Sequence, residues 1–410
     1  MMITDKKYTN TNSIFVVSEF VFKSQNSTGY YWFKIINKLA NDGLAPKVIY
    51  PNYKINNNVL CEQCYKIPIK PSVFEKKTLI TRVVSQLSLS YRFLSALIKH
   101  VKRNDVVLSG TNPALLLFFL YILKSVIGFK WILLVHDIFP DNLIPSGILR
   151  TKRNILYRVL YRLYRAVYSS PDKLIVIGSD MHNIMSKKIK TKENIILINN
   201  WADENEVFPS NKSDFLLNRG VKIQENSVIF QFFGNIGRLQ GIDNLLQSIK
   251  LIKNKKSVFL FFGNGPYLYR LKEFIKDNHN INIFYAGEVQ ESDRNFCLSS
   301  CDIAFVTLDS GMYGLGVPSK AYFSMGANKP ILAVMDANSE IAKIVTENRI
   351  GWHCEPNKPE ELANLIDKIS ESNWSNNIKS SREVLINKYS QRRSLDMFSN
   401  TIKDALNISH

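Results

Sequence analysis

Three segments in the second half of this 410-residue chain set a glycine turn directly behind an apolar run. They are Phe232-Phe233-Gly234-Asn235-Ile236-Gly237-Arg238, Phe261-Phe262-Gly263-Asn264-Gly265-Pro266 and Gly316-Val317-Pro318-Ser319-Lys320. Helical spacing resumes behind each turn, so each reads as a strand handing its backbone to the start of a helix. Free N–H groups at such a start, with the positive end of the helix dipole, bind anions before any side chain contributes. Two cations stand at these junctions. Arg238 has a fork that can engage two phosphates at once, and Lys320 follows Pro318 and Ser319, which suit a first helical turn. Gly234, Asn235, Gly237, Gly263, Asn264, Gly265, Pro318 and Ser319, with Arg238 and Lys320 as the charged groups, therefore predict a nucleotide diphosphate pocket. A further candidate, His136, closes the apolar run 131–135 and precedes Asp137 and Asp141. A histidine or aspartate at such a strand end can act as general base, a buried core histidine being the alternative, and the aspartates can equally cap the next turn.

These residues need strands whose ends meet in one cleft. A strand at 13–17, a polar turn through Ser27-Thr28-Gly29, a helix at 30–41 ended by Asn41-Asp42-Gly43, and a strand at 46–50 open the chain as β-α-β. A second such unit runs from 106 to 135 and leads into His136, and strands at 173–178 and 195–198 follow. Beyond a polar stretch at 202–226 come strands at 228–233, 258–262, 281–285, 303–306 and 331–334. This alternation predicts an α/β protein with parallel, doubly wound sheets that bind ligands at the carboxyl ends of the strands. The expected domains are 1–205 and 206–375, with a helical tail at 376–410.

Segments in this order resemble the nucleotide-sugar half of retaining family 4 glycosyltransferases, which have the GT-B fold of two Rossmann-like domains facing a central cleft. Bacterial O-antigen and capsule enzymes of the N-acetylfucosaminyltransferase type are similar in motif, and weaker echoes in the first half extend the resemblance to most of the chain. It implies transfer of a sugar from a nucleotide donor, UDP favoured, to a polyprenyl-diphosphate-linked saccharide, without cofactor or metal. It places His136 beside the transferred sugar, Arg238 and Lys320 at the diphosphate, and Gly287-Glu288-Val289 at the base. It gives residues 1–205 the acceptor and sends the tail back across them. Three departures stand out. A Gly-Gly pair usual in the first loop is reduced to Gly29, the arginine and lysine that many members carry in the first turn are Asn235 and Gln240, and two glutamates eight positions apart fall on Leu315 and Phe323. Glu340 is the candidate to take over the ribose hydroxyls.

Composition bounds the rest. With 45% hydrophobic residues the chain can fill two cores, and with 21% charged residues and no repeat it reads as neither disordered nor a solenoid. The net charge of +18 calls for an anionic partner. Twelve bases against three acids between Arg92 and Arg165 supply half of that excess. Because Tyr157-Arg158-Val159-Leu160-Tyr161-Arg162-Leu163-Tyr164-Arg165 adds leucines and aromatics, anionic lipid headgroups are the expected contact; no nucleic-acid module is present. The amino terminus lacks the apolar core of a signal peptide, so the expected place is the cytoplasm, at the inner face of the cell membrane. The apolar run 114–123 is half of the ~20 residues that span a bilayer and reads as a buried or interfacial helix. Cys61 and Cys64 have metal spacing but no second pair. No Gly-x-Gly-x-x-Gly follows the first strand, which argues against a nicotinamide dehydrogenase. An epimerase or hydrolase on the same scaffold, or a basic membrane adaptor, are the other readings.

Overall fold

The computed structural model describes residues 12–53, 60–72, 79–211 and 214–407. Among these, seven strands form a first sheet: β1 (Ile14–Val17), β2 (Lys47–Pro51), β3 (Tyr65–Ile69), β4 (Val106–Gly110), β5 (Lys130–Val135), β6 (Lys173–Val176) and β7 (Ile195–Leu197). Six form a second: β8 (Val228–Phe233), β9 (Ser257–Phe262), β10 (Ile283–Tyr285), β11 (Ile303–Thr307), β12 (Ile331–Val334) and β13 (Gly351–Cys354). The orders are β3-β2-β1-β4-β5-β6-β7 and β10-β9-β8-β11-β12-β13. The pairings are parallel, from Val16 opposite Leu108 to Phe232 opposite Phe261. Each chain path steps outward from β1 or β8 and then returns to the other side, so connections diverge between β1 and β4 and between β8 and β11. That divergence opens a crevice at the carboxyl ends of those strands.

Alternation of side chains along the strands divides the cores. Phe230, Phe232, Phe259, Phe261 and Phe305 share one face of the second sheet. Their rings stack, Phe230 on Phe259 at 5.7 Å and Phe232 on Phe261 at 5.7 Å between centroids. On the other face Val306, Ile331 and Ala333 join Leu315, Tyr322 and the apolar residues of the first sheet in one continuous core. The helix Gln391–Leu406 lies on the helix Ser27–Asn41, with Trp201 packed between Tyr31 at 4.7 Å and Phe398 at 5.9 Å. Ser399 donates to Asp42 at 2.5 Å and Lys130 to the Ala405 carbonyl at 2.7 Å, so this last helix is tied at its middle to the end of the helix Ser27–Asn41 and at its carboxyl end to β5.

Candidate active site

The loops behind β8 and β11 face the start of the helix Ser27–Asn41 across a cavity of about 480 Å³. That volume suits a small-molecule ligand. Lys23, Asn26 and Tyr30 line it from one side, and Gly234, Asn235, Gln240, Arg294, Pro318, Ser319, Lys320 and Phe323 from the other. The Lys320 ammonium lies 3.8 Å over the centre of the Phe232 ring, buried and without a hydrogen-bond partner. Burial pushes its pKa down to about 7. A buried amine with no acceptor is costly, and such groups mark functional sites. Arg294 forms a second wall: its guanidinium stacks on Phe323 at 5.2 Å and on Tyr30 at 5.8 Å, and those two rings meet at 5.3 Å.

The glycine turns divide into lining and support. A Cβ on Gly263 would stand 2.0 Å from the Gly234 carbonyl oxygen, and one on Gly265 would stand 2.4 Å from that of Ile236. Glycine is needed there so that the second turn can lie against the first. The amides are spent on the same packing: Gly263 N–H donates to Gly287, Ile236 to Asn264, and Gly265 to the Asn264 side chain, which itself donates to Glu288 at 2.8 Å. Gly263, Asn264, Gly265, Gly287 and Glu288 thus hold the first turn in place without lining the cavity. Val289 packs beside Phe215 and Phe262.

Arg238 also departs from expectation. Residues Arg238–Gln240 form a 3-10 turn behind Gly237. Three residues per turn send Gln240 into the cavity and Arg238 elsewhere. The Arg238 guanidinium comes within 2.3 Å of where a Cβ on Gly147 would stand, in the loop after β5. It lines a separate polar groove of about 540 Å³ with Asp243, Asn244, Arg270 and Asp309.

On the first sheet, the His136 and Asp137 amides both donate to the Thr111 hydroxyl at 3.2 Å. This fixes the end of β5 to the loop after β4. The His136 ring is 6.4 Å from Trp32. Burial pushes its pKa down to about 4, so the imidazole is neutral at pH 7. Asp137 reaches solvent, yet the protein crowded around it pushes its carboxyl up to about 6. Gly316 faces both: a Cβ there would lie 3.7 Å from the His136 carbonyl and 3.9 Å from the Asp137 carboxylate. Asp141 is buried, accepts from the Tyr157 hydroxyl at 2.8 Å and pairs with buried Lys188, which also donates to the Phe139 carbonyl at 2.9 Å. Asp141 therefore braces the loop behind His136.

Residues 216–391 match the family model described as glycosyl transferases group 1. Over 403 residues the chain is 44% identical to the Pseudomonas aeruginosa protein named "Probable glycosyltransferase WbjE", covering 97% of this chain and 99% of that one. The chain belongs to the group 1 glycosyl transferases. Sucrose-phosphate synthase from Thermosynechococcus elongatus shares its fold with a TM-score of 0.77 at 14% identity, over 97% of this chain and 100% of that one. Anabaena HepE in complex with UDP and glucose does so with a TM-score of 0.70 at 13% identity, over 97% of this chain and 99% of that one. The two facing parallel sheets are thus a GT-B fold.

In this glycosyl transferase Glu340 is not available to a ribose. Its carboxylate accepts from the Ser179 amide at 2.7 Å, the Ser179 hydroxyl at 2.5 Å and Asn199 at 2.7 Å, while its own amide donates to Asp180 at 3.0 Å. Two helices, Ser179–Lys188 and Glu340–Glu347, meet start to start across the lobes, and each lends the other a carboxylate. Several lining residues escape a reading of the sequence. Lys23, Tyr30 and Arg294 occupy no recognisable motif. Glu19, just behind β1, accepts from Asn112 at 2.8 Å and Tyr53 at 3.2 Å at the switch point of the first sheet. Its only signal is a carboxylate two residues past a strand end.

Proposed function

We propose that this glycosyl transferase moves a sugar from a nucleotide diphosphate donor, UDP favoured, to a polyprenyl-diphosphate-linked saccharide during bacterial surface polysaccharide assembly. The observation that carries the reading is the unpartnered Lys320 ammonium in a cavity framed by Gly234, Asn235, Pro318 and Ser319. Lys320 takes a diphosphate oxygen and stabilises the charge that grows as the bond from the sugar C1 to that oxygen breaks. The acceptor hydroxyl attacks C1 on the face from which the phosphate departs, so configuration is retained, and it passes its proton to that departing phosphate. Neutral His136, across from Gly316, holds the sugar by a hydrogen bond. In an inverting reaction Asp137, with its raised pKa, would take the proton instead. Arg238, in its separate groove against Gly147, serves the joint between the lobes. The HepE structure with UDP and glucose supports a nucleotide in a fold of this kind.

The first lobe is assigned to a membrane surface bearing the acceptor. No helix among the described residues is long and apolar enough to cross a bilayer. On the helix Ile155–Tyr168, Ile155, Leu156, Val159 and Leu163 are exposed beside Arg158, Arg162 and Arg165. Of the tyrosines expected at the lipid, Tyr157 and Tyr164 are buried and Tyr161 is half-buried, so they turn inward together with Tyr168. Aliphatic side chains and arginines therefore make the contact, extended by exposed Ile122 and Val126 on the neighbouring helix Leu116–Ile127. The test is intact-mass analysis of a polyprenyl-diphosphate saccharide incubated with the protein and a panel of nucleotide sugars. A gain of one glycosyl unit is expected. Donor breakdown without that gain would support the hydrolase reading.

A further inference from the structure

We propose that Arg294 is the second cation of the nucleotide site, gripping the phosphates together with Lys320 in the role that the sequence had assigned to Arg238. The assignment rests on the nucleotide-donor reading of the cleft cavity. Three cations line that cavity among the described residues, Lys23, Arg294 and Lys320, and Arg238 is not one of them. Lys23 is already committed, 3.2 Å from Glu206 and 2.7 Å from Glu291. Arg294 shares the same two carboxylates only at 4.0 and 3.9 Å, the outer edge of ion-pair contact, and its buried Nε has no hydrogen-bond partner. Lys320 and Arg294 thus line one cavity from behind β11 and behind β10, and each carries a buried donor, Nζ and Nε, without a hydrogen-bond partner.

The packing of Arg294 prepares it for this task. The guanidinium lies 5.2 Å from the centre of the Phe323 ring and 5.8 Å from that of Tyr30, cation–π contacts that hold it at the cavity without using its N–H groups as hydrogen-bond donors. A fork held flat in advance loses little side-chain freedom when it binds a phosphate bidentately. Phe323 is essential to the arrangement, because a carboxylate at that position would pair with the guanidinium and occupy the donors. The first turn contributes Asn235 and Gln240, which are polar but uncharged. The charge opposite a diphosphate must therefore come from Lys320 and Arg294.

The experiment compares the binding of uridine, UMP and UDP to wild-type protein, Arg294→Gln and Arg294→Lys by titration calorimetry, with ligand-observed NMR for the weak nucleoside. Melting temperatures without ligand verify that each variant is folded. Arg294→Gln should lose at least tenfold in UDP affinity and less than threefold in uridine affinity. Arg294→Lys, which keeps the charge but not the fork, should lose less for UDP than Arg294→Gln and should carry the test if the glutamine variant does not fold. UDP affinity within twofold of wild type in the folded variants, or equal losses for uridine and UDP, would overturn the assignment. Wild-type protein that binds neither UDP nor GDP would instead remove the donor reading, and this assignment with it.

Discussion

Replacing Lys320 by methionine should make the unliganded protein more stable and a poorer ligand binder. The side chains are similar in length, and the thioether would rest on the Phe232 ring where the ammonium now lies at 3.8 Å. Burial of the lysine moves its pKa from 10.5 to about 7, which corresponds to a penalty of about 5 kcal/mol on the protonated form. Solvent reaching the amine reduces this, and relief of one buried unsatisfied donor should return about 1–3 kcal/mol to the methionine variant. At roughly 2–4 °C per kcal/mol, the melting temperature should rise by several degrees. UDP should bind about 10- to 100-fold more weakly, from the loss of one charged hydrogen bond of about 1.5–3 kcal/mol. The pH dependence has a definite sign. The folded-state pKa lies below the unfolded value, so between about pH 7 and 10.5 the unfolded chain holds the extra proton and wild-type stability increases with pH. The methionine variant should lack that increase. Scanning fluorimetry with and without UDP, across this pH range, measures all three effects. A variant that melts lower than wild type and binds UDP equally well would refute the reasoning and make Lys320 a structural residue.

Lys188→Met leaves buried Asp141 with the Tyr157 hydroxyl and only the exposed Lys152 at 3.9 Å for a cation, and should cost about 3–5 kcal/mol in urea denaturation; a loss below about 1 kcal/mol would show that the pair is not stabilising. Burial, with Glu340 close by, pushes the Asp180 carboxyl up to about 6. The folded state therefore holds the extra proton between about pH 4 and 6, and this group's contribution to stability falls as pH rises through that window. Asp180→Asn should remove that slope from the melting curve, and an unchanged slope would place the titration elsewhere. Changing Arg158, Arg162 and Arg165 to glutamine should weaken sedimentation with anionic vesicles about 100-fold, at about 1 kcal/mol per charge. Wild-type sedimentation by the triple variant would exclude this helix as the contact.

The fold was legible because buried parallel strands leave a strong trace. The runs at 228–233 and 331–334 coincide with β8 and β12, both continuous apolar segments bounded by turn residues. The edge strands β3 and β13 were not legible: Tyr65–Ile69 is mostly exposed and Gly351–Cys354 half-buried, so neither carries a hydrophobic run. Of the motif residues, Gly234, Asn235, Pro318, Ser319 and Lys320 come together on the candidate cavity, because each stands at a strand-to-helix turn that the sequence marks. It was misleading where one residue of rotation decides, since a 3-10 turn carries Arg238 away from the cavity that Gln240 enters. Arg294 left no trace, because its position depends on two rings, Tyr30 and Phe323, brought together only by the meeting of the lobes. Glu340 shows the converse: a buried carboxylate near the cleft that looks free in sequence is consumed by Ser179 and Asn199 of the other lobe.

The most direct measurement is a crystal structure of the protein with UDP at saturating concentration. A β-phosphate oxygen should lie within about 3.2 Å of Lys320 Nζ, between the Gly234-Asn235 turn and Pro318-Ser319. An unoccupied cleft, or UDP seated in the polar groove beside Arg238 and Asp309, would contradict the account.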